Sequence, residues 1–205
     1  MSDGDLRVCW VGDSYVAGAG DPLCLGWAGR LAARAFSAGR PLTSYNLGVR
    51  RETSARIRDR WLAECAPRLR EGDDRRVVFS LGVNDTTWAP GSAGTRVAED
   101  DSVANLRAVL DGAAEQRWPA LVVGPPAVDD DAQNARSARL DARFAEVCRA
   151  AGAPYVPVHD ALRASAVWMR EVRAGDGAHP GVNGYDELAA LVEPAWWRWL
   201  GEPNG

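Results

Sequence analysis

The sequence predicts an α/β protein: a five-stranded parallel sheet between two layers of helices, a three-layer α/β/α sandwich. Two observations predict it. Short apolar runs alternate along the chain with segments of helical periodicity, the pattern of parallel strands joined by helical crossovers. In addition, no linker or repeat divides the 205 residues, and 46% of them are apolar, enough to fill one core. A single domain over residues 1–205, with a core of about 6–200, is expected.

The elements follow in order. Val8-Cys9-Trp10-Val11 reads as a buried first strand, followed by a Gly-rich turn and a helix over about 25–38. Tyr45-Asn46-Leu47 is a weaker second strand. Ile57, Trp61, Cys65 and Leu69, four apart, mark the apolar stripe of a second helix. Val77-Val78-Phe79-Ser80-Leu81 is the clearest strand, and Val103, Leu106, Leu110 and Ala113 follow at helical spacing. Ala120-Leu121-Val122-Val123 is a fourth strand closed by Gly124-Pro125-Pro126. Leu140, Phe144, Val147 and Ala151 give the next helix, and Tyr155-Val156-Pro157-Val158 the fifth strand. A last helix is expected to start at an Asn183 N-cap, and Pro194 to kink or restart it. Residues 86–96 form the longest loop-like stretch, placed to frame a pocket.

Composition excludes several functions. The net charge of −4 carries no basic stripe, so nucleic acid is not an expected partner. All 24 basic residues are arginine, which rules out a Schiff-base lysine, a lysine general base and a P-loop lysine. The four cysteines are widely spaced and make neither a zinc pattern nor a disulfide framework. The polar N-terminus and the absence of an 18-residue apolar run point to a cytoplasmic protein with no stable membrane insertion. The oligomeric state is left open.

The chemistry lies at strand ends. Gly12-Asp13-Ser14 follows strand one, Gly48 follows strand two, and Asn84, in Gly82-Val83-Asn84-Asp85, follows strand three. Asp176-Gly177-Ala178-His179-Pro180 precedes the last helix. In an open parallel sheet, ligands bind outside the carboxyl ends of the strands, where all four motifs fall. A serine, a histidine and an aspartate are the parts of an oriented nucleophile, and the chain has only two histidines from which to draw a base.

These residues and their order resemble the GDSL, or SGNH, hydrolases, and among them the small stand-alone bacterial esterases and lipases. The resemblance spans residue 6 to about 192 and implies the flavodoxin-like SGNH hydrolase fold. It also implies that Ser14 is the nucleophile, His179 the general base and Asp176 its orienting carboxylate. The oxyanion hole would be the backbone N–H groups of Ser14 and Gly48 with the side-chain amide of Asn84. The residues themselves suit these tasks: glycine permits close backbone approach, and an asparagine amide can donate to a developing oxyanion. One departure is visible, since the fourth letter of the GDSL string is Tyr15.

Asp13 is expected to bond within its own loop and Asp85 to anchor behind the site. Tyr15, Trp27, Trp88 and Trp168 are candidates to line a substrate pocket, whereas Trp10 and Trp61 read as core. His159 is a rival base without a motif partner, and Cys24 a buried or inert thiol. The implied activity is hydrolysis of short- to medium-chain carboxylic esters through an acyl-enzyme, with no metal or organic cofactor and a small-molecule ester as partner. Acyl transfer or thioester hydrolysis by the same serine, and a non-catalytic binding module on the same scaffold, are the alternatives.

Overall fold

A computed structural model describes residues 4–201. Five strands form one parallel sheet in the order β2-β1-β3-β4-β5: β1 Leu6–Gly12, β2 Thr43–Gly48, β3 Asp74–Ser80, β4 Ala120–Val123 and β5 Tyr155–Val156. Seven helices are present among the described residues: α1 Gly26–Ser37, α2 Ser54–Leu69, α3 Glu99–Glu115, α4 Asp131–Ala151, α5 His159–Ala164, α6 Ala166–Ala174 and α7 Val182–Leu200. None is long and apolar enough to cross a membrane.

Side-chain alternation along the strands divides the core in two. Val8 and Trp10 of β1, with Val78 of β3 and Leu121 and Val123 of β4, pack beneath α1, α6 and α7. Cys9, Val11, Val77, Phe79 and Val122 point the other way, beneath α2, α3 and α4. Both faces are therefore covered, as the near-continuous apolar strands require. Trp10 is the centre of the first core: Trp196 stacks on it at 4.9 Å and Trp27 meets it edge-on at 5.4 Å.

The register sets the site. Gly12 lies opposite both Gly48 and Ser80, so β1, β2 and β3 end level with one another. After β2 the chain returns to the other side of β1 to form β3, which makes the carboxyl end of β1 the point where strand order reverses. That is where a crevice opens in such sheets.

Several expectations need correction. The fifth strand is only Tyr155–Val156, because Pro157 has no N–H for the ladder and Val158 already caps α5. The sequence reading placed no helix at α5 or α6. Asn183 lies inside α7 rather than capping it, and its side chain donates to Glu171 Oε1 at 2.8 Å. Pro194 does not interrupt α7, which runs on to Leu200 while Trp196 and Leu200 are buried in the core.

Candidate active site

The turn after β1 is built before any side chain acts. Ala17 N–H donates to Asp13 O at 3.1 Å and Ala19 N–H to Ser14 O at 2.9 Å, while Asp13 Oδ1 accepts from Tyr15 N–H at 3.0 Å. β2 braces this turn from the side. A Cβ at Gly48 would lie 2.2 Å from Ala17 N and 2.8 Å from Asp13 O, so only glycine fits there. Asn46 completes the brace, donating from Nδ2 to Val16 O at 2.7 Å. Ser14 is thereby held with 4% of its surface exposed.

The loop between α6 and α7 brings the other partners from 165 positions away. Asp176 Oδ1 accepts from the backbone N–H groups of Ala178 (3.1 Å) and His179 (2.9 Å), leaving Oδ2 for the ring of His179, 2.8 Å from Nδ1. His179 Nε2 lies 2.7 Å from Ser14 Oγ. Burial pushes the Asp176 carboxyl up, but the His179 backbone, the His179 ring and the Ala178 backbone outweigh it and lower it to about 2. An ionised carboxylate only accepts, so Nδ1 carries the proton and Nε2 presents its lone pair to the serine hydroxyl.

The loop has its own supports. Glu171 on α6 accepts from Gly181 and Gly184 N–H at 2.9 and 2.8 Å, tying it to the start of α7. Tyr15 hydroxyl donates to Ala178 O at 2.6 Å, and its ring lies 5.0 Å from that of His179. Gly20, at φ +88°, allows the loop after β1 to touch the same segment, since a Cβ there would lie 2.7 Å from Pro180 O. A cleft of about 510 Å³ opens beside His179 and Asp176, with Arg50, Glu171 and Gly20 among its walls.

Asn84 stands across from this loop at the end of β3. Its Nδ2 donates to Asp13 Oδ2 at 3.1 Å, which uses one of two amide hydrogens. Asp13 is 2% exposed; burial pushes its carboxyl up to about 7, with nearby Asp85 adding to the rise and the Tyr15 and Asn84 donors opposing it. Asp85, fully buried, accepts from Ser54 N–H at 2.8 Å and so caps the first turn of α2, and burial raises its carboxyl as well.

The remaining candidates divide. Gly48 sits at the site, but its N–H donates to Asn46 Oδ1 at 3.0 Å, so this expected oxyanion donor is already engaged. Asn46 is the residue sequence reasoning missed; an Asn two positions before the glycine at the end of a weak strand was its available signal. Trp27 and Trp168 do not line a pocket. Both are fully buried in the core, Trp168 donating from Nε1 to Ala127 O at 2.9 Å and stacking behind Tyr15 at 6.2 Å. Tyr15, only 2% exposed, backs the histidine loop rather than facing solvent. Trp88 is 53% exposed, with the Arg136 guanidinium 5.7 Å from its ring centre. His159 is buried against Asp160 at 2.9 Å, and Cys24 is exposed rather than buried, at φ +55°.

Comparison with known proteins identifies the family and the fold. The model of the GDSL-like lipase/acylhydrolase family matches residues 10–187. No curated protein matches the chain. Among solved structures it is similar to Axe2, an acetylxylan esterase from Geobacillus stearothermophilus, at 16% identity over 99% of this chain and 98% of that one, with a TM-score of 0.75. It is also similar to the lipase/acylhydrolase from Enterococcus faecalis, at 20% identity over 98% of each chain and a TM-score of 0.72. A third is LAE5, an alpha/beta hydrolase enzyme from the metagenome of Lake Arreo, Spain, at 19% identity over 96% and 95% of the two chains and a TM-score of 0.72. At these identities the likeness establishes the fold.

Proposed function

The chain belongs to the GDSL-like lipase/acylhydrolase family, and from that premise we propose that it cleaves short- to medium-chain acyl esters through a covalent acyl-enzyme on Ser14. Membership makes it a carboxylic ester hydrolase. The observation that carries the finer reading is the continuous chain Ser14 Oγ–His179–Asp176, with links of 2.7 and 2.8 Å.

In this reading Ser14 Oγ attacks the ester carbonyl as its proton passes to His179 Nε2. Asp176, ionised at any working pH, stabilises the imidazolium so formed. The proton then goes to the departing alcohol, and water enters by the same route to release the acid. The negative charge on the tetrahedral oxygen is met by Ser14 N–H and by the amide hydrogen of Asn84 that Asp13 leaves free. Gly48 N–H joins them only by exchanging Asn46 Oδ1 for the oxyanion. Each such donor is worth about 3–4 kcal/mol in a preorganised site.

A fluorophosphonate probe tests the nucleophile directly. Expected is stoichiometric labelling at Ser14, with loss of p-nitrophenyl acetate hydrolysis in proportion. Retained turnover in fully labelled protein, or labelling elsewhere, sinks the assignment. An acetate-to-octanoate series run on the same preparation defines the acyl length.

Asp13 gives a second test. Its folded value of about 7 lies above the ordinary aspartate value of about 3.9, so between the two the native state holds a proton that the unfolded chain has lost. Stability contributed by this group therefore falls as pH rises from about 4 to 7. In Asp13→Asn that slope is expected to vanish from melting temperature plotted against pH. The new amide keeps the Tyr15 N–H bond with its oxygen and presents N–H to Asn84, which must then turn its own oxygen inward. The expected cost in kcat is about 10²–10³, that of one lost oxyanion donor; wild-type kcat in a folded variant would refute the role given to Asn84.

A further inference from the structure

The loop that leaves β3 returns to the site. Beyond Asn84 and Asp85 the chain runs out to Trp88 and comes back through a single antiparallel bridge from Trp88 to Thr95. Ala89 N–H donates to Gly94 O, and Arg96 N–H to Thr87 O, each at 2.9 Å. This small hairpin delivers Arg96 to the end of β3. There Nη2 donates to the carbonyl of Arg51 at 2.7 Å, and Nη1 lies 3.5 Å from Asn84 Oδ1. Arg51 itself is held at φ +65°, a left-handed conformation that is unfavourable for a non-glycine residue. Such strain persists where surrounding contacts enforce it. Both of these contacts of Arg96 are to neutral oxygens.

We propose that Arg96 is a positioning residue for oxyanion stabilisation, fixing the orientation of the Asn84 carboxamide from its oxygen end while Asp13 fixes it from its nitrogen end. The proposal rests on the hydrolase reading, in which Asn84 donates to the oxyanion. A carboxamide is nearly symmetric in shape, and a half-turn would replace the donor with an oxygen that repels the oxyanion. A cation facing Oδ1 and the accepting oxygen of Asp13 facing Nδ2 both oppose that half-turn. The cation also polarises the amide, which strengthens its remaining N–H as a donor. The 3.5 Å contact is long for a resting enzyme, and contacts of this kind shorten when charge develops in the transition state.

The test is kcat and KM for p-nitrophenyl acetate in wild type, Arg96→Met, Arg96→Lys, Asn84→Ala and the Asn84→Ala/Arg96→Met double variant, with melting curves for each. Arg96→Met is expected to lower kcat about tenfold, less than the loss of a donor itself, with KM within about twofold. Arg96→Lys, which keeps the charge but not the fork, recovers part of that loss. In the Asn84→Ala background Arg96→Met costs less than about twofold, because the group it positions is gone. Unchanged kcat in Arg96→Met, a change in KM alone, or the same tenfold loss without Asn84 overturns the proposal. If the methionine variant does not fold, the lysine variant decides: a reduced kcat that disappears as an effect in the Asn84→Ala background supports it, and wild-type kcat or an equal loss in both backgrounds overturns it. The reading on which it rests fails distinguishably: undiminished turnover in Asn84→Ala removes the oxyanion role of Asn84 and with it this proposal, and undiminished turnover in Ser14→Ala removes the nucleophile assignment.

Discussion

Ser14→Ala is expected to lower kcat for p-nitrophenyl acetate by about 10⁶-fold while leaving the protein folded. The two halves of this expectation have different physical origins. In the proposed mechanism the hydroxyl is the attacking atom, and the nearby Tyr15 hydroxyl is committed to Ala178 O. The turn, however, is held by Asp13, Ala17, Asn46 and the close seat of Gly48, none of which involves Ser14 Oγ. Removing the hydroxyl forfeits one hydrogen bond to His179, about 1 kcal/mol. Melting temperature should therefore move by only a few degrees, and residual rate above the uncatalysed reaction should survive through the oxyanion donors. Nitrophenol release and a melting curve on the same sample check both halves. Turnover near wild type would end the nucleophile assignment.

Asp21→Ala should produce the largest loss of stability, about 3–5 kcal/mol. Asp21 forms a buried ion pair with Arg30 and accepts from the N–H groups of Leu23, Leu25 and Gly26, which shapes the loop leading into α1. Burial pushes its carboxyl up, but Arg30 and the backbone donors more than offset this and hold it below its ordinary value. That contribution is present above the ordinary carboxylate range and is lost as pH falls through the lowered value. Arg30 also reaches Asp186 and Val182 O on α7, so the pair locks the nucleophile loop, α1 and α7 together. The alanine variant strands Arg30, 5% exposed, without its buried partner. Asp21→Ala/Arg30→Met should lose less than the single variant, because no buried guanidinium is left with only the half-exposed Asp186 to balance it. Urea midpoints for the two variants and wild type decide this; a double variant less stable than Asp21→Ala contradicts the account.

Much of the scaffold was legible because its signals are local. Val8–Val11, Val77–Leu81 and Ala120–Val123 are apolar runs too short for helices, and the stripe from Ile57 to Leu69 has helical spacing. Each corresponds to an observed element. The fifth strand was overextended because Val158 continues the apolar run, while the missing N–H of Pro157 ends the ladder. Helices α5 and α6 are six and nine residues long, too short for their buried apolar residues, Leu162, Trp168, Met169 and Val172, to establish a period. The tryptophans were the hardest case. Trp27 and Trp168 lie near the motif loops in sequence, yet both are fully buried, and only the packing around Trp10 and Tyr15 determines that.

The sequence by itself determined the α/β class and the placement of Ser14, Gly48, Asn84 and the Asp176/His179 loop at one edge of the sheet. Period and order suffice for that, since parallel strands with helical crossovers all end on the same side. Which of the proposed oxyanion donors are free was decided only by the folded structure. Asn46 takes the N–H of Gly48, Asp13 holds one amide hydrogen of Asn84, and Arg96 returns from its hairpin to the oxygen of that amide. The reason is geometric: a hydrogen bond depends on ångström distances and directions between side chains up to 71 positions apart, which residue type and spacing do not encode.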